Sequence, residues 1–505
     1  MLFFSLELQK VIDPRNDICY SLDQVINNMV DYMNFIGREE DLNALRALKS
    51  KKSASFVVVK GRRRIGKSRL IKEFAKDYTN YSFAGFPPNT GTTADFERKT
   101  FALQLEKVFG VPVRYDSWYE LFIFLSQQIK DQDAVILLDE ISWMGSKDPH
   151  FLGALKTAWD EYFKQNAKLV LIVCGSVSSW IEQNILSSTG FVGRLSLTLT
   201  VKELSLKESC MFWGNYQSNT SGYEKLKLLA ITGGVPRYLE EIDPSLSAEE
   251  NIKRLCFTDS GILYQDFDQI FNDLFSSKTG KYKEIALALV DGARTREELI
   301  QHLDKDRSGR FSNELDDLVT AGFLQRDFTW NLSTNSQSQL SKYRLSDNYL
   351  RFYLKYIDPN KNKIAKGFYK DVHLLSIPGW STLMGLQIEN LVLNNRLLIL
   401  EQLNIPPEIV VNDGAYFQRR TKRVAGCQID YLIQTKLSEL YIIEIKFHKN
   451  QIGSSIITEM QEKIKNLSRP KNFSLRPVLI HACEISTEVD NADYFVKIID
   501  LRARL

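Results

Sequence analysis

Two sets of residues in this 505-residue chain have the types and spacing for phosphate chemistry. The first is GRRRIGKS, in which Gly61 and Gly66 flank four residues and Lys67 and Ser68 follow. Glycines let a loop curl until its backbone N–H groups converge on an anion. In that spacing Lys67 reaches the β- and γ-phosphates of a nucleotide, and the Ser68 hydroxyl binds Mg2+. Downstream, AVILLDE (134–140) ends an apolar run in two carboxylates. Asp139 there would hold the Mg2+ directly or through water, and Glu140 would polarise the attacking water as general base. The second set lies in QIDYLIQTKLSELYIIEIKF (428–447). Strands that bury a face seldom keep ionised groups, yet this stretch carries Asp430, Glu444 and Lys446.

Strand alternation puts Ile442, Glu444 and Lys446 on one face and Ile443, Ile445 and Phe447 on the other. A hairpin centred near Leu437 sets Asp430 opposite Glu444. Cross-strand Cβ atoms then lie about 4.5–5.5 Å apart, where like charges repel. A divalent cation between the carboxylates converts that repulsion into coordination by hard oxygen ligands. Lys446 could then orient a water or stabilise charge on a phosphate oxygen.

The elements that must position these groups are legible around them. The β-branched run Phe56–Lys60 precedes the glycine loop and a helical pattern follows it, the context a P-loop requires. The run before Asp139 is continuously apolar, as a strand buried on both faces in a parallel sheet must be. A third such run, KLVLIVCGS (168–176), ends at Ser176, placed either to sense the γ-phosphate or simply to leave the strand. Arg194 in GFVGRL and Arg237 in GGVPRYL are arginines that could stabilise phosphoryl-transfer charge or serve structure. The expected nucleotide-binding set is thus Gly61, Arg62, Arg63, Arg64, Ile65, Gly66, Lys67, Ser68, Arg69, Asp139, Ser176 and Arg237. Lys67, Glu140 and Arg194 are the catalytic candidates, with ATP and Mg2+ as cofactors.

These segments resemble the archaeal-type ATPases of the AAA+/signal-transducing branch of P-loop proteins. The resemblance rests on FIGREEDLNALRAL (35–48), VVVKGRRRIGKSRLI, VILLDE, LVLIVCGSVSSW and ITGGVPRYLEEI (231–242). It implies a core sheet with an added strand between the two strands that carry the nucleotide motifs, then a helical lid near Gly234-Val235-Pro236. The segment YRLSDNYLRFYLKYI (343–357) resembles the connection to the C-terminal domain in that family. Residues 380–505 resemble the PD-(D/E)xK phosphodiesterase fold. By that resemblance Asp430 and Glu444 are metal ligands and Lys446 is the catalytic lysine. Glu389, on the upstream helix GLQIENLVLNNRLL, is an auxiliary ligand or hydrogen-bond partner. Gln428 stands where related domains often have Glu, which leaves that position without an assigned role.

Between the two lie residues 281–325, read as three short amphipathic helices, followed by a polar hairpin-like stretch. Three helices and a β-wing make a winged helix. Arg307, Arg310 and Ser312 could contact phosphates, but Glu314, Asp316 and Asp317 on the same helix repel DNA, which favours a structural or protein-contacting role. The fold expected is therefore α/β throughout. An N-terminal extension (1–34) precedes a P-loop parallel-sheet core (35–200), a helical lid (201–275) and a winged helix (276–357). A linker (358–380) and an α/β PD-(D/E)xK-like domain (381–505) complete it. DPNKNKIAKG (358–367) is the most linker-like stretch, and the basic run Arg419–Arg423 could hold a nucleic-acid backbone or form a solvated turn.

Composition sets bounds on these readings. The chain is 44% hydrophobic and 25% charged, with a formal net charge of +3, so any basic site must be local. Six scattered cysteines without a CxxC pair fit reduced thiols. MLFFSLELQKVIDPRND lacks a basic leader, and no apolar run approaches the ~18 residues of a membrane span. The expectation is a cytoplasmic, membrane-free ATPase coupled to a metal-dependent nuclease-like domain acting on DNA or another nucleic acid. The alternative is a nucleotide-switched scaffold whose C-terminal domain only binds nucleic acid, a protein partner or a second copy of the chain.

Overall fold

The computed structural model describes residues 35–87, 91–176, 178–275, 279–422, 424–447 and 450–505. The expected N-terminal extension, Cys19 and Arg423 lie outside them. By backbone contacts the chain divides into Met1–Gly37 and Arg38–Leu505, and every helix and strand named here belongs to the second unit.

Strands β1 (Ser55–Lys60), β2 (Thr79–Ala84), β3 (Ala134–Asp139), β4 (Val170–Gly175) and β5 (Leu195–Thr200) form one parallel sheet. Its order is β2-β3-β4-β1-β5, so β4 lies between the strands that lead into the glycine loop and the Asp139–Glu140 pair. The residues of β1, β3 and β4 are almost all buried, which is why they read as unbroken apolar runs. Helix α1 (Lys67–Ala75) starts directly from Gly66. Parallel pairing brings the loop after β1 and the carboxylates after β3 to the same edge of the sheet, where ligands bind in open α/β folds.

The region expected to be a lid contains α2 (Gly222–Thr232), capped by the Ser221 side chain. Its other end is Gly233-Gly234. A Cβ on Gly234 would lie 2.1 Å from the Leu204 carbonyl oxygen, so only glycine fits there. A short helix, Pro236–Leu239, and α3 (Ile262–Phe275) follow.

Helices α4 (Thr279–Leu287), α5 (Arg296–His302) and α6 (Gly309–Thr320) precede an antiparallel pair, β6 (Leu324–Trp330) and β7 (Gln337–Leu345). This hairpin packs on the C-terminal region. The Trp330 indole donates to the Gln434 side chain at 2.7 Å and its ring meets Tyr416 edge-on. On α6, the Ser312 hydroxyl accepts from Arg296 and Asp317 accepts from Tyr282. Arg307 and Arg310 stay exposed.

The stretch expected to be a linker is folded. Residues Asp358–Asn360 and Lys361–Ala365 are helical turns, Ile364 is 2% exposed, and Lys361 pairs with Asp268 at 2.6 Å. Its charges suggested solvation, but Asp358 and Lys361 are held by ion pairs and Ile364, just after them, is inserted in the core.

Helix α7 (Asn348–Phe352) leads through these turns to α8 (Trp380–Asn394). The second sheet contains β8 (Val410–Gln418), β9 (Cys427–Thr435), β10 (Glu439–Lys446), β11 (Ser474–His481) and β12 (Lys497–Asp500), in the order β12-β11-β10-β9-β8. The first three strands form an antiparallel meander, and β11 and β12 run parallel to β10. Helix α9 (Ser455–Asn466) connects β10 to β11. A single apolar cluster runs from Leu204 to Leu501 and includes lid, three-helix and second-sheet residues. The five described cysteines are free, buried thiols. Among the described residues no helix is long and apolar enough to cross a membrane.

Candidate active sites

The glycine loop wraps around its own lysine. Lys67 Nζ donates to the carbonyls of Gly61 and Arg62, each at 3.0 Å. Gly61 has φ +153°, and a Cβ there would lie 2.4 Å from the Val201 carbonyl oxygen, so the close approach of β1 and β5 demands glycine. The loop is held from behind by Arg38, whose guanidinium donates to the Ile65 carbonyl at 2.8 Å. In front, Pro236 of the lid packs toward Gly66, 3.7 Å from where a Cβ would stand.

The Ser68 hydroxyl donates to Asp139 at 2.7 Å. A hydroxyl and a carboxylate at this separation are hard oxygen donors of the kind Mg2+ takes, usually one or two carboxylates completed by water and phosphate. Glu140 follows in a left-handed conformation, φ 48° and ψ 50°. Such backbone strain in a non-glycine residue is retained where the surroundings fix it. What fixes it is Ser176, whose hydroxyl donates to both Glu140 oxygens at 3.0 Å while its N–H donates at 3.2 Å. Ser176 thus positions the carboxylate beside β3, a partner that the sequence reading did not assign.

The second site forms where β9, β10 and α9 meet. The pairs Leu440–Gln434 through Ile443–Tyr431 set the hairpin in the register centred on Leu437. Asp430 accepts from the Ile445 N–H at 2.9 Å, and its partner by register is Glu444. The Glu444 side chain is 5% exposed and contacts two ammonium groups, Lys446 at 3.0 Å and Lys463 of α9. Lys463 also lies 3.8 Å from Asp430, and Lys446 reaches Glu459 at 3.0 Å. A cavity of about 350 Å3 opens beside Asp430, walled by Gln428, Glu459, Glu462 and Lys463. An adjoining cavity of about 420 Å3 includes Lys342 and Arg419 and shares the 426–428 wall.

Burial and the neighbouring carboxylates push two acids upward. Glu389 rises to about 7, first through burial and then through Asp430, while Arg351 and Arg344 oppose the rise. Asp430 rises to about 6, first through burial and then through Glu444, with Lys463 opposing. Two carboxylates that share protons in this way titrate as a unit. Among the described residues no three His, Cys, Asp or Glu side chains converge as a ready cage. Asp430 and Glu444 nevertheless supply the two carboxylates that suffice for Mg2+ when water and substrate oxygens fill the remaining positions.

Residues 35–242 match the model of an ATPase domain predominantly from Archaea. This region is thus similar to archaeal-type P-loop ATPase domains. A relative in Methanocaldococcus jannaschii, the protein MJECL04, is 26% identical over 437 residues, 85% of this chain and 92% of its own length. Among solved structures, the Walker-type ATPase PABY2304 of Pyrococcus abyssi is 14% identical with a TM-score of 0.48, covering 64% of this chain and 97% of that one. The ORC2 protein of Aeropyrum pernix in its ADPNP–ADP complexes is also 14% identical, with a TM-score of 0.42 and coverage of 67% and 98%.

One arginine expected at the ATPase site lies away from the glycine loop of its own chain. Arg194 immediately precedes β5, at the edge of the sheet opposite the P-loop, and forks onto Asp160 at 2.7–3.1 Å. Six strand residues separate the two edges, about 20 Å. The sequence leaves open whether Arg194 serves its own chain or a neighbour, and this placement keeps it from the nucleotide of its own chain. The Arg62 guanidinium reaches Glu203 at 2.8 Å and Asp347 at 2.7 Å, leaving its backbone for a phosphate. Arg64 pairs with Asp266 of α3 at 2.7 Å, and Arg69 with Glu240 at 3.2 Å. Arg63 lies by the Trp143 ring and feels the Glu140 charge. Arg237, next to Pro236, pairs with Glu241 at 2.8 Å.

The upward shifts at the second site give a pH test. The folded state holds protons on Asp430 and Glu389 that the unfolded chain releases from about pH 4 upward. Their contribution to stability is complete below the unfolded values and is lost as pH rises through the folded ones. Melting temperature should therefore carry a downward component between about pH 4 and pH 7 that Asp430→Asn flattens. Mn2+ should raise the melting temperature more at about pH 8 than at pH 5.5, because its ligands must be deprotonated. Differential scanning fluorimetry across pH, with and without Mn2+, checks both.

Proposed function

We propose that this protein couples ATP hydrolysis to a divalent-metal-dependent phosphodiesterase site acting on nucleic acid. In the ATPase half, Lys67 and the loop N–H groups bind the phosphates and Ser68 with Asp139 holds Mg2+. Glu140, aimed by Ser176, activates water. Arg237 on the lid is within reach of a bound nucleotide, and Arg194 would act on the site of a neighbouring copy. Residues 279–345 act as a structural winged helix, its wing fastened to the second sheet by Trp330.

One observation carries the second half: Asp430 and Glu444 meet across adjacent strands with the Lys446 ammonium on Glu444 and Glu389 within their field. Asp430 and Glu444 would hold Mg2+, which would supply charge neutralisation and an activated water. Lys446 is placed to stabilise charge on the scissile phosphate, and Glu389 to orient the ligand set. The groove past Lys342 and Arg419 gives a nucleic-acid backbone a route to them. The test is incubation of the full chain with single- and double-stranded DNA and RNA in Mg2+ or Mn2+, with and without ATP. No cleavage of any substrate would sink the phosphodiesterase reading.

A second reading is favoured by one feature: Lys463 and Lys446 already neutralise Glu444. On that reading residues 381–505 form an ion-paired binding domain, and the ATPase works as a nucleotide-switched scaffold. It predicts nucleotide-dependent oligomer size by light scattering and no Mn2+ binding at Asp430.

A further inference from the structure

A buried polar chain runs from the glycine loop to α8, the helix that carries Glu389. It starts at Lys67, whose ammonium rests on the Arg62 carbonyl at 3.0 Å. A nucleotide that draws Lys67 to its phosphates takes that contact away, so Arg62 is the first residue to feel occupancy. The Arg62 side chain, 8% exposed, forms an ion pair with Asp347, 1% exposed, at 2.7 Å, although that Asp347 oxygen accepts no hydrogen bond. The other oxygen of Asp347 caps α7 by accepting from the Leu350 N–H at 3.0 Å.

From α7 the chain passes to α8. Asn348 and Gln387 exchange bonds: the Asn348 amide donates to the Gln387 carbonyl at 3.2 Å, and the Gln387 amide donates to the Asn348 carbonyl at 2.7 Å. Arg351 joins Gln387 Oε1 at 3.0 Å to the Leu345 carbonyl at 2.8 Å. The Asn390 amide donates to the Asn348 side chain at 3.0 Å. Glu389 stands between Gln387 and Asn390 on α8.

Such a network resists piecemeal change. A buried donor or acceptor left without its partner loses the full desolvation cost of the group, so neighbours move together or not at all. We propose that this chain, from Arg62 through Asp347 and α7 to α8, couples nucleotide binding to the placement of Glu389 against Asp430 and Glu444. The inference rests on the two-site reading given above and assigns Asp347 and Arg351 as positioning residues. Nucleotide binding alters the Arg62–Asp347 grip, α7 carries the change, and α8 moves Glu389 relative to the strand pair.

Hydrogen–deuterium exchange of the full chain tests it, with Mg2+ and a slowly hydrolysed ATP analogue against Mg2+ alone. In the wild type, nucleotide should protect residues 61–69 and change exchange in 380–394 and 427–446 by about five-fold or more, the lower end of ordinary site-to-site coupling. Asp347→Asn keeps a good helix cap but loses the charge on Arg62. It should retain protection at 61–69 and lose the distal response. Arg351→Lys, which keeps the charge but removes the fork, should do the same. A distal response that survives both substitutions overturns the proposal, as does a wild type protected at 61–69 with no distal change. Absent protection at 61–69 overturns the nucleotide-site reading and the coupling together. A normal distal response in a protein that cleaves nothing supports the coupling and counts against the phosphodiesterase reading alone.

Discussion

Glu140→Gln should bind ATP nearly as the wild type does and hydrolyse it roughly 100- to 10,000-fold more slowly, the ordinary range for loss of a general base. The amide keeps the shape of the carboxylate, and its single oxygen can still accept from Ser176, so the left-handed turn at position 140 should survive. What disappears is the capacity to take a proton from water. Lys67→Ala should instead lose both binding and turnover, since the ammonium that now rests on the Gly61 and Arg62 carbonyls is the group that meets the phosphates. A fluorescent nucleotide titration separates the two defects, and a phosphate-release assay measures the rate. Turnover unchanged in both variants would refute a catalytic role for this edge of the sheet.

At the second site the larger effect is expected from Asp430→Asn. Loss of one of two carboxylates should abolish saturable Mn2+ binding and cleavage together. Lys446→Ala should behave differently: Mn2+ binding persists while cleavage falls about 100- to 1,000-fold, as when one preorganised stabiliser of transition-state charge is removed. Isothermal titration with Mn2+ and a gel-based cleavage assay report the two quantities. Equal cleavage by wild type and both variants would identify a contaminating nuclease as its source.

The parts of this architecture that sequence exposes are those governed by short-range rules. The P-loop was legible because a strand, a glycine-flanked loop and a helix must be contiguous. The two-residue period gave the shared face of Glu444 and Lys446, while the register centred on Leu437 was a supposition that the strand pairing matches. The linker was misjudged because DPNKNKIAKG looks solvated until Asp268 and Lys283 are known to meet its charges. Arg194 was legible as an arginine but not as a position, because strand order alone decides which edge it occupies. Arg62 reaches Glu203 and Asp347 across long sequence separations that no local pattern records. Lys463 was missed as well, although a signal was present: Glu459 and Lys463 are four apart on α9, flanking the buried Ile456 and Met460.

The apolar cluster that runs from Leu204 to Leu501 has a consequence for ancestry. Severing the polypeptide near residue 357 and parting the pieces would divide this cluster, and each large apolar side chain stripped of its cover would forfeit roughly 1.5–3 kcal/mol of burial. Shuffling of gene segments between distant cousins would produce mismatched seams of the same kind. Residues 204–275 and the acidic strand pair are thus expected to be inherited, lost and diversified in step, as a single heritable block.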